Sequence, residues 1–241
     1  MHRVEHLMGM PIIVAGCDDD RLLDRVFDWF HEVDERFSTY KPDSELNRLN
    51  RGELALSDTH PDLRHVLRRC EELRGETGGY FDAGEDPTGL VKGWSVDRAA
   101  AILDDAGVST FAINAGGDMV VRGGSWRVGI QHPVVRDAVA KALELSDCAL
   151  ATSGEYARGA HIVDPHTGLP PEGLLSVSVL GPDLGTADAY ATAAFAMGVQ
   201  RAHHWLARLR GYESLVILGD GRLLSTPGFD ALEAGRGLVP A

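Results

Sequence analysis

A chain of 241 residues can bury a substantial core, as one large α/β domain or two small ones. Its 23 lysines and arginines against 36 aspartates and glutamates give a net charge of −13, which sets the surface against nucleic acid and anionic membrane. Cys17, Cys70 and Cys148 are odd in number and far apart, arguing against a disulfide framework or a zinc site, and no stretch is apolar and long enough to span a bilayer.

Residues 8–15 read as a first strand, with Gly9 permitting a close backbone approach. Val14-Ala15-Gly16-Cys17 has the form of a lipoprotein cleavage box. The MHRVEHLMGMPI ahead of it carries Arg3, Glu5, His6 and Pro11, is too short and polar for a signal segment, and points to a cytoplasmic protein. Asp20 is placed to cap a helix through Phe37, whose Leu23, Val26, Phe27, Phe30, Val33 and Phe37 form one apolar stripe. His31-Glu32 within it lacks the second histidine of an HExxH metal site. FSTYKPDSELNRLN, 37–50, is polar, with a turn at Lys41-Pro42-Asp43 and a short helix opening at Asp43-Ser44. Tyr40 there suits either a ring-stacking platform or a loop aromatic packed on the surface. From Ser57 a second amphipathic helix runs to about Glu76, burying Leu63, Val66, Leu67, Cys70 and Leu73.

Tyr80-Phe81-Asp82 leads into DPTGLVKGW, 86–94, and a helix continuing to Ala106. A glycine-containing loop that feeds a helix presents N–H groups to a phosphate, and Lys92 adds a point charge. The segment lacks the GxxxxGK[ST] of a Walker loop. Strands at 111–114 and up to Arg122 flank Ala115-Gly116-Gly117-Asp118, which is no GxGxxG, so a dinucleotide-binding Rossmann fold is unsupported. Further strands are expected at 126–131, 139–145, 174–181 and 215–218, with a helix at 201–210 and a peripheral tail after Gly228.

Two stretches concentrate short polar groups. In ATSGEYARGAHIVDPHTG, 151–168, a strand is expected to end at Thr152, to be broken by Ser153-Gly154, and to be followed by another starting at His161. The Asp-Pro-x-Thr-Gly turn then has a mechanism: Pro presets φ, the Asp side chain accepts backbone N–H groups, and Gly supplies positive φ. His161 is either one partly buried histidine of a hairpin or a proton-transfer group beside a donor-rich loop. In GTADAYATAAFAMG, 185–198, Thr186 is placed as an N-cap and Gly198 as a stop. Asp188 and Thr192 are four apart and share one helix face. They suit a hard cation such as Mg²⁺, or equally a first-turn acid favouring the helix dipole and a threonine packed in the core. An anionic ligand on so acidic a chain needs local neutralisation, which a metal or Lys92 would provide.

Taken in order, MGMP, FSTYKPDSELNRLN, TGGYFD, DPTGLVKGWSVDRAA, INAGGD, ATSGEYARGAHIVDPHTG and TADAYATAAFAMG resemble the ApbE family, the FAD:protein FMN transferases, over about 6–200. The resemblance implies a single α/β (α+β) domain over 1–241, T-fold-like, with a mixed, mostly antiparallel sheet and packed helices. It implies FAD as substrate, Mg²⁺ as cofactor, and transfer of the FMN moiety to a Thr or Ser hydroxyl of a partner protein with release of AMP. By the same resemblance Met8 contacts the flavin, Tyr40 is the aromatic near bound FAD, and Tyr80, Phe81 and Asp82 line the cofactor. Asp86 and Lys92 lie on its ribose and phosphate side. The Gly89 carbonyl with Asp188 and Thr192 forms the metal position, and His161 is the histidine needed for transfer. Only Ala83-Gly84-Glu85 separates Asp82 from Asp86, where many members carry a longer segment ending in Gly-Pro-Leu. The chain holds no Ser/Thr-Gly-Ala-Thr motif, so the expected acceptor is a separate flavoprotein bearing one. Two alternatives share the same site: an FAD pyrophosphatase, if water replaces the acceptor hydroxyl, and a non-catalytic FAD-binding protein.

Overall fold

Alternating side chains along the strands supply two apolar faces, and each is covered by a different set of elements. The computed structural model describes residues 2–135, 137–154 and 162–234. Its strands are β1 (His2–Leu7), β2 (Met10–Ala15), β3 (Phe111–Ala115), β4 (Asp118–Arg122), β5 (Trp126–Gln131), β6 (Val139–Leu145), β7 (Cys148–Gly154), β8 (Leu174–Gly181), β9 (Glu213–Leu218) and β10 (Leu223–Ser225). Its α-helices are α1 (Asp20–Phe37), α2 (Glu45–Asn50), α3 (Pro61–Glu76), α4 (Thr88–Asp105), α5 (Leu184–Leu206) and α6 (Pro227–Ala231). One sheet runs in the order β1-β2-β3-β4-β7-β8-β9-β10, and β5 and β6 pair separately. The expected mostly antiparallel sheet with packed helices is what forms, and every ladder among the described residues is antiparallel.

Ile113, Val120, Ala151, Val177, Val179 and Val216 face the helical layer, where they meet the α1 stripe and the inner faces of α4 and α5. Their neighbours Met119, Val121, Leu150, Leu180, Leu215 and Ile217 face the β5–β6 hairpin and Phe229 of α6. Both faces of the central strands are thus buried, which explains their near-continuous apolar runs. Among the described residues no helix is long and apolar enough to cross a membrane.

The helical layer turns on the crossing of α4 and α5. A Cβ on Gly93 would lie 2.6 Å from the Leu184 carbonyl oxygen, so only glycine permits this approach. From the same helix Asp97 accepts the Leu184 and Gly185 amides, each at 2.8 Å, and so satisfies two of the free N–H groups at the start of α5. Burial pushes the Asp97 carboxyl up to about 6, against the opposing pull of those two amides.

Several local expectations are corrected by tertiary context. Residues 8–15 are not one strand: Met8 and Gly9, both at positive φ, turn β1 into β2. The α1 cap is Asp19, whose side chain accepts the Arg21 and Leu22 amides, and not Asp20. The helix expected from Ser57 is a short 3-10 turn, Leu56–Asp58, followed by α3, because Pro61 suits only a first turn. The α5 cap is Asp183 and not Thr186, and Gly198 (φ 70°) kinks the helix without ending it. Ser153 and Gly154 do not break β7 but pair with Val177 and Ser176 of β8. Ile162 to Asp164 form no strand. Within the tail expected to be peripheral, Phe229 is fully buried, while residues 235–241 lie outside the described residues.

Two outcomes follow from the crossing. Gly93→Ala should lower stability in urea by about 1–3 kcal/mol, through forced separation of the two helices. Asp97 ionises more easily unfolded than folded, so its contribution to stability is complete below the unfolded pKa and is lost as pH rises through about 6. Urea midpoints measured from pH 4 to 7 should therefore show wild type losing about 2–3 kcal/mol relative to Asp97→Asn.

Candidate functional site

Two tight turns lie side by side at one end of the large sheet. The Met8-Gly9 turn lies beside the β3–β4 turn, where the Gly116 amide donates to the Pro11 carbonyl at 3.1 Å. Gly116 and Gly117, at φ 62° and 104°, reverse the chain and deliver Asp118 to the first position of β4. The Asp118 carboxylate accepts the Thr152 amide of β7 at 2.8 Å. On the next residue of β7, the Ser153 hydroxyl meets the Thr192 hydroxyl of α5 at 3.1 Å.

Lys92 enters this corner from α4, one residue before the glycine of the helix crossing. Its ammonium pairs with Asp118 and lies 3.3 Å from the Asp188 carboxylate of α5. Asp118 and Asp188 are 2% and 3% exposed, whereas the lysine side chain keeps 23%. Burial alone would lower the lysine's pKa; the charges of Asp188 and Asp118 outweigh it and hold the ammonium above its ordinary range. Two buried carboxylates face this one ammonium in a poorly solvated place, so among these three groups negative charge exceeds positive. A carboxylate and a hydroxyl one turn apart on α5, with a helix carbonyl nearby in sequence on α4, form an oxygen donor set appropriate to a hard cation. No cluster of three or more His, Cys, Asp or Glu forms among the described residues, so a purely acidic or thiolate metal cage is not what this corner offers.

The other expected residues form a rim. Phe81 is buried, its amide donates to the Thr77 hydroxyl at 3.0 Å, and its ring packs against Gly89 in the first turn of α4. Asp86 accepts the Thr88 amide at 3.0 Å, fixing the entry to that helix. Asp82 accepts the Gly84 amide at 3.2 Å and lies 3.6 Å from Arg74. The short 83–85 segment is tied to α2 by Asn50, which donates to the Glu85 carbonyl at 2.9 Å. Asn47 of the same helix donates to the Ser38, Thr39 and Lys41 carbonyls, so the loop carrying Tyr40 is shaped although Tyr40 itself is 95% exposed. Met8 is half-buried at its turn.

Tyr80 joins the rim to the Asp-Pro-His-Thr-Gly turn. The Arg201 guanidinium donates to its hydroxyl and sits 5.9 Å above its ring. His166 meets the same ring edge-on at 4.6 Å, and its Nε2 lies 3.1 Å from the Gly78 carbonyl. The turn has the expected construction: Asp164 accepts the His166 amide at 2.8 Å, and Gly168 adopts φ 71°. His161 lies outside the described residues.

The structure therefore brings Lys92 to Asp188, with Thr192 one turn further along α5 against Ser153, and Phe81 against Gly89, while Tyr40 stands outside the buried cluster. Sequence reasoning assigned no role to Asp118, Arg201 or His166. A signal for Asp118 existed, as an acid two residues ahead of a buried valine on a strand's inward face. Arg201 and His166 carried none, because their partner Tyr80 is 121 and 86 residues away in sequence.

Residues 8–87 and 86–216 match the model of the ApbE family. An FAD:protein FMN transferase of Vibrio cholerae is 35% identical, the match covering 77% of this chain and 76% of that protein. One of Rhodobacter capsulatus is 37% identical, covering 62% of this chain and 31% of its own length, so this chain spans only part of that relative. Among solved structures, the flavin transferase ApbE from Vibrio cholerae aligns with a TM-score of 0.83 at 24% identity, over 96% of this chain and 98% of that one. The ApbE protein of Thermotoga maritima aligns with a TM-score of 0.86 at 21% identity, over 97% and 99%. At such identities the structural likeness speaks to the fold.

Replacing His166 with Ala removes an edge-on ring contact and a bond to the Gly78 carbonyl. It should cost about 1 kcal/mol in urea denaturation and speed hydrogen exchange at the Gly168 amide, which donates to Asp164 at 2.8 Å.

Proposed function

The chain belongs to the ApbE family, and from that membership we propose that it transfers the FMN moiety of FAD to a Ser or Thr hydroxyl of an acceptor protein, releasing AMP. The observation that carries this reading is the Lys92 ammonium 3.3 Å from the Asp188 carboxylate beside the α4–α5 crossing, with Thr192 one turn further along α5, where a bound cation and the ammonium together would offset the charge of a pyrophosphate. The buried negative charge and oxygen donors there fit Mg²⁺, held by Asp188, Thr192 and the Gly89 carbonyl. Bound in that place, the cation supplies charge neutralisation for the pyrophosphate oxygens.

The chain's own residues divide the remaining work. Half-buried Met8 and the Tyr40 ring offer apolar surface to a flavin, Phe81 backs that surface from the core, and Tyr40, exposed on a loop fixed by Asn47, is free to stack on the ring system. Asp82 lines the cofactor, Asp86 lies on its ribose and phosphate side, and Lys92 donates hydrogen bonds to phosphate oxygens. His161 accepts the proton of the acceptor hydroxyl as its oxygen bonds to the FMN phosphorus. The bond between that phosphorus and the bridging oxygen breaks, and AMP departs with the electron pair. The acceptor is a flavoprotein segment carrying a Ser/Thr-Gly-Ala-Thr motif.

Intact mass of such a domain, incubated with this protein, FAD and Mg²⁺, tests the proposal. The expected result is one covalent FMN per acceptor, with equimolar AMP and abolition by EDTA. His161→Ala and Asp188→Asn should each reduce the rate by about a hundredfold or more. Free FMN and AMP with an unmodified acceptor would replace the transferase with a pyrophosphatase, and unchanged FAD despite tight binding would replace it with a carrier.

A further inference from the structure

We propose that the Lys92 ammonium is an internal counterion that competes with a divalent cation for Asp188, and that Asp118 is the positioning residue that fixes the lysine there. The inference rests on the reading of Asp188 as a metal ligand.

The two acidic partners of Lys92 are held differently. Asp188 rides on α5, together with the Thr192 hydroxyl one turn further on. Asp118 belongs to the sheet, clamped by the Thr152 amide at 2.8 Å and set in place by the Gly116-Gly117 turn. One of its oxygens takes the amide, and the other faces the lysine. Adjacent residues of β7 therefore govern both sides of the corner: Thr152 anchors the lysine's partner, and Ser153 touches the α5 hydroxyl. A lysine extended from α4 toward a fixed sheet carboxylate reaches Asp188 at 3.3 Å without having to be held by it. When a cation takes Asp188, the ammonium keeps Asp118 and remains close by for an anionic ligand.

Charge counting makes this testable. Counted among themselves, and with every other neighbour unchanged, the two aspartates and the lysine sum to one net negative charge. Removing the lysine makes it two, neutralising Asp118 makes it zero, and doing both restores one. At such separations a unit charge changes cation affinity by an order of magnitude or more. A merely structural role for Lys92 or Asp118 predicts instead that every substitution weakens binding.

Mn²⁺ binding to the full chain without FAD, followed by electron paramagnetic resonance of the free ion, distinguishes these outcomes. Lys92→Met should bind Mn²⁺ about tenfold more tightly than wild type and Asp118→Asn about tenfold more weakly. The double variant should return to within about threefold of wild type, and Lys92→Arg should retain wild-type affinity. Lys92→Gln serves as a second neutral variant if the methionine form fails to fold, with the same sign expected. Unchanged or weaker binding in the folded neutral variants, or no recovery in the double variant, would overturn the proposal. Asp188→Asn separates the two readings: if it binds Mn²⁺ as wild type does, the metal position itself is wrong. The expected Mn²⁺ pattern without FMN transfer to any acceptor would reject the transferase and leave the counterion standing.

Discussion

The close passage of α4 over α5 is the constraint on which the rest depends. It requires an absent side chain at Gly93, whose α-carbon region meets the Leu184 carbonyl, and it is locked by Asp97 accepting the first two amides of α5. Lys92 precedes that glycine by one residue, and Asp188 follows Leu184 by four, one helical turn further on. The helix crossing therefore sets the distance between a cation and an anion that no local sequence rule relates. Asp183 and Tyr212 continue the same joint outward, the tyrosine hydroxyl donating to the capping carboxylate at 2.9 Å.

Burying charge is costly unless it is paired and hydrogen-bonded, and the corner at the sheet end meets that requirement in a layered way. Backbone amides and hydroxyls of β7 hold Asp118 and Thr192, and Lys92 links the sheet to α5. Tyr40 and Asp82 are more exposed. Tyr80, His166 and Arg201 form a contact between three distant segments, and Asn50 joins α2 to the short segment ahead of α4.

Much of this was legible in the sequence wherever a single element carried the signal. The α1 stripe from Leu23 to Phe37 is buried as its spacing requires, and Asp188 and Thr192 share a face because four residues make about one turn. The Asp-Pro-His-Thr-Gly turn has the hydrogen bonds its residue types dictate. Errors fell where a competing partner decided. Asp183 displaced Thr186 as the α5 cap because its carboxylate reaches the Thr186 amide. Ser153 and Gly154 stayed in β7 because β8 supplied a ladder partner that small polar residues alone do not advertise. Phe229, just after Gly228, is drawn inward because its ring fills the second core beneath the β5–β6 hairpin.

By itself, then, the sequence determined the periodicities, the turn chemistry, the family and the residue types from which a phosphate and metal site would be built, since these depend on neighbours a few positions apart. Only the tertiary structure decided which charges meet. Lys92, Asp118 and Asp188 belong to α4, β4 and α5, and their pairing follows from helix crossing and strand register. Those depend on burial of apolar surface across the whole chain, not on any property of the three residues themselves.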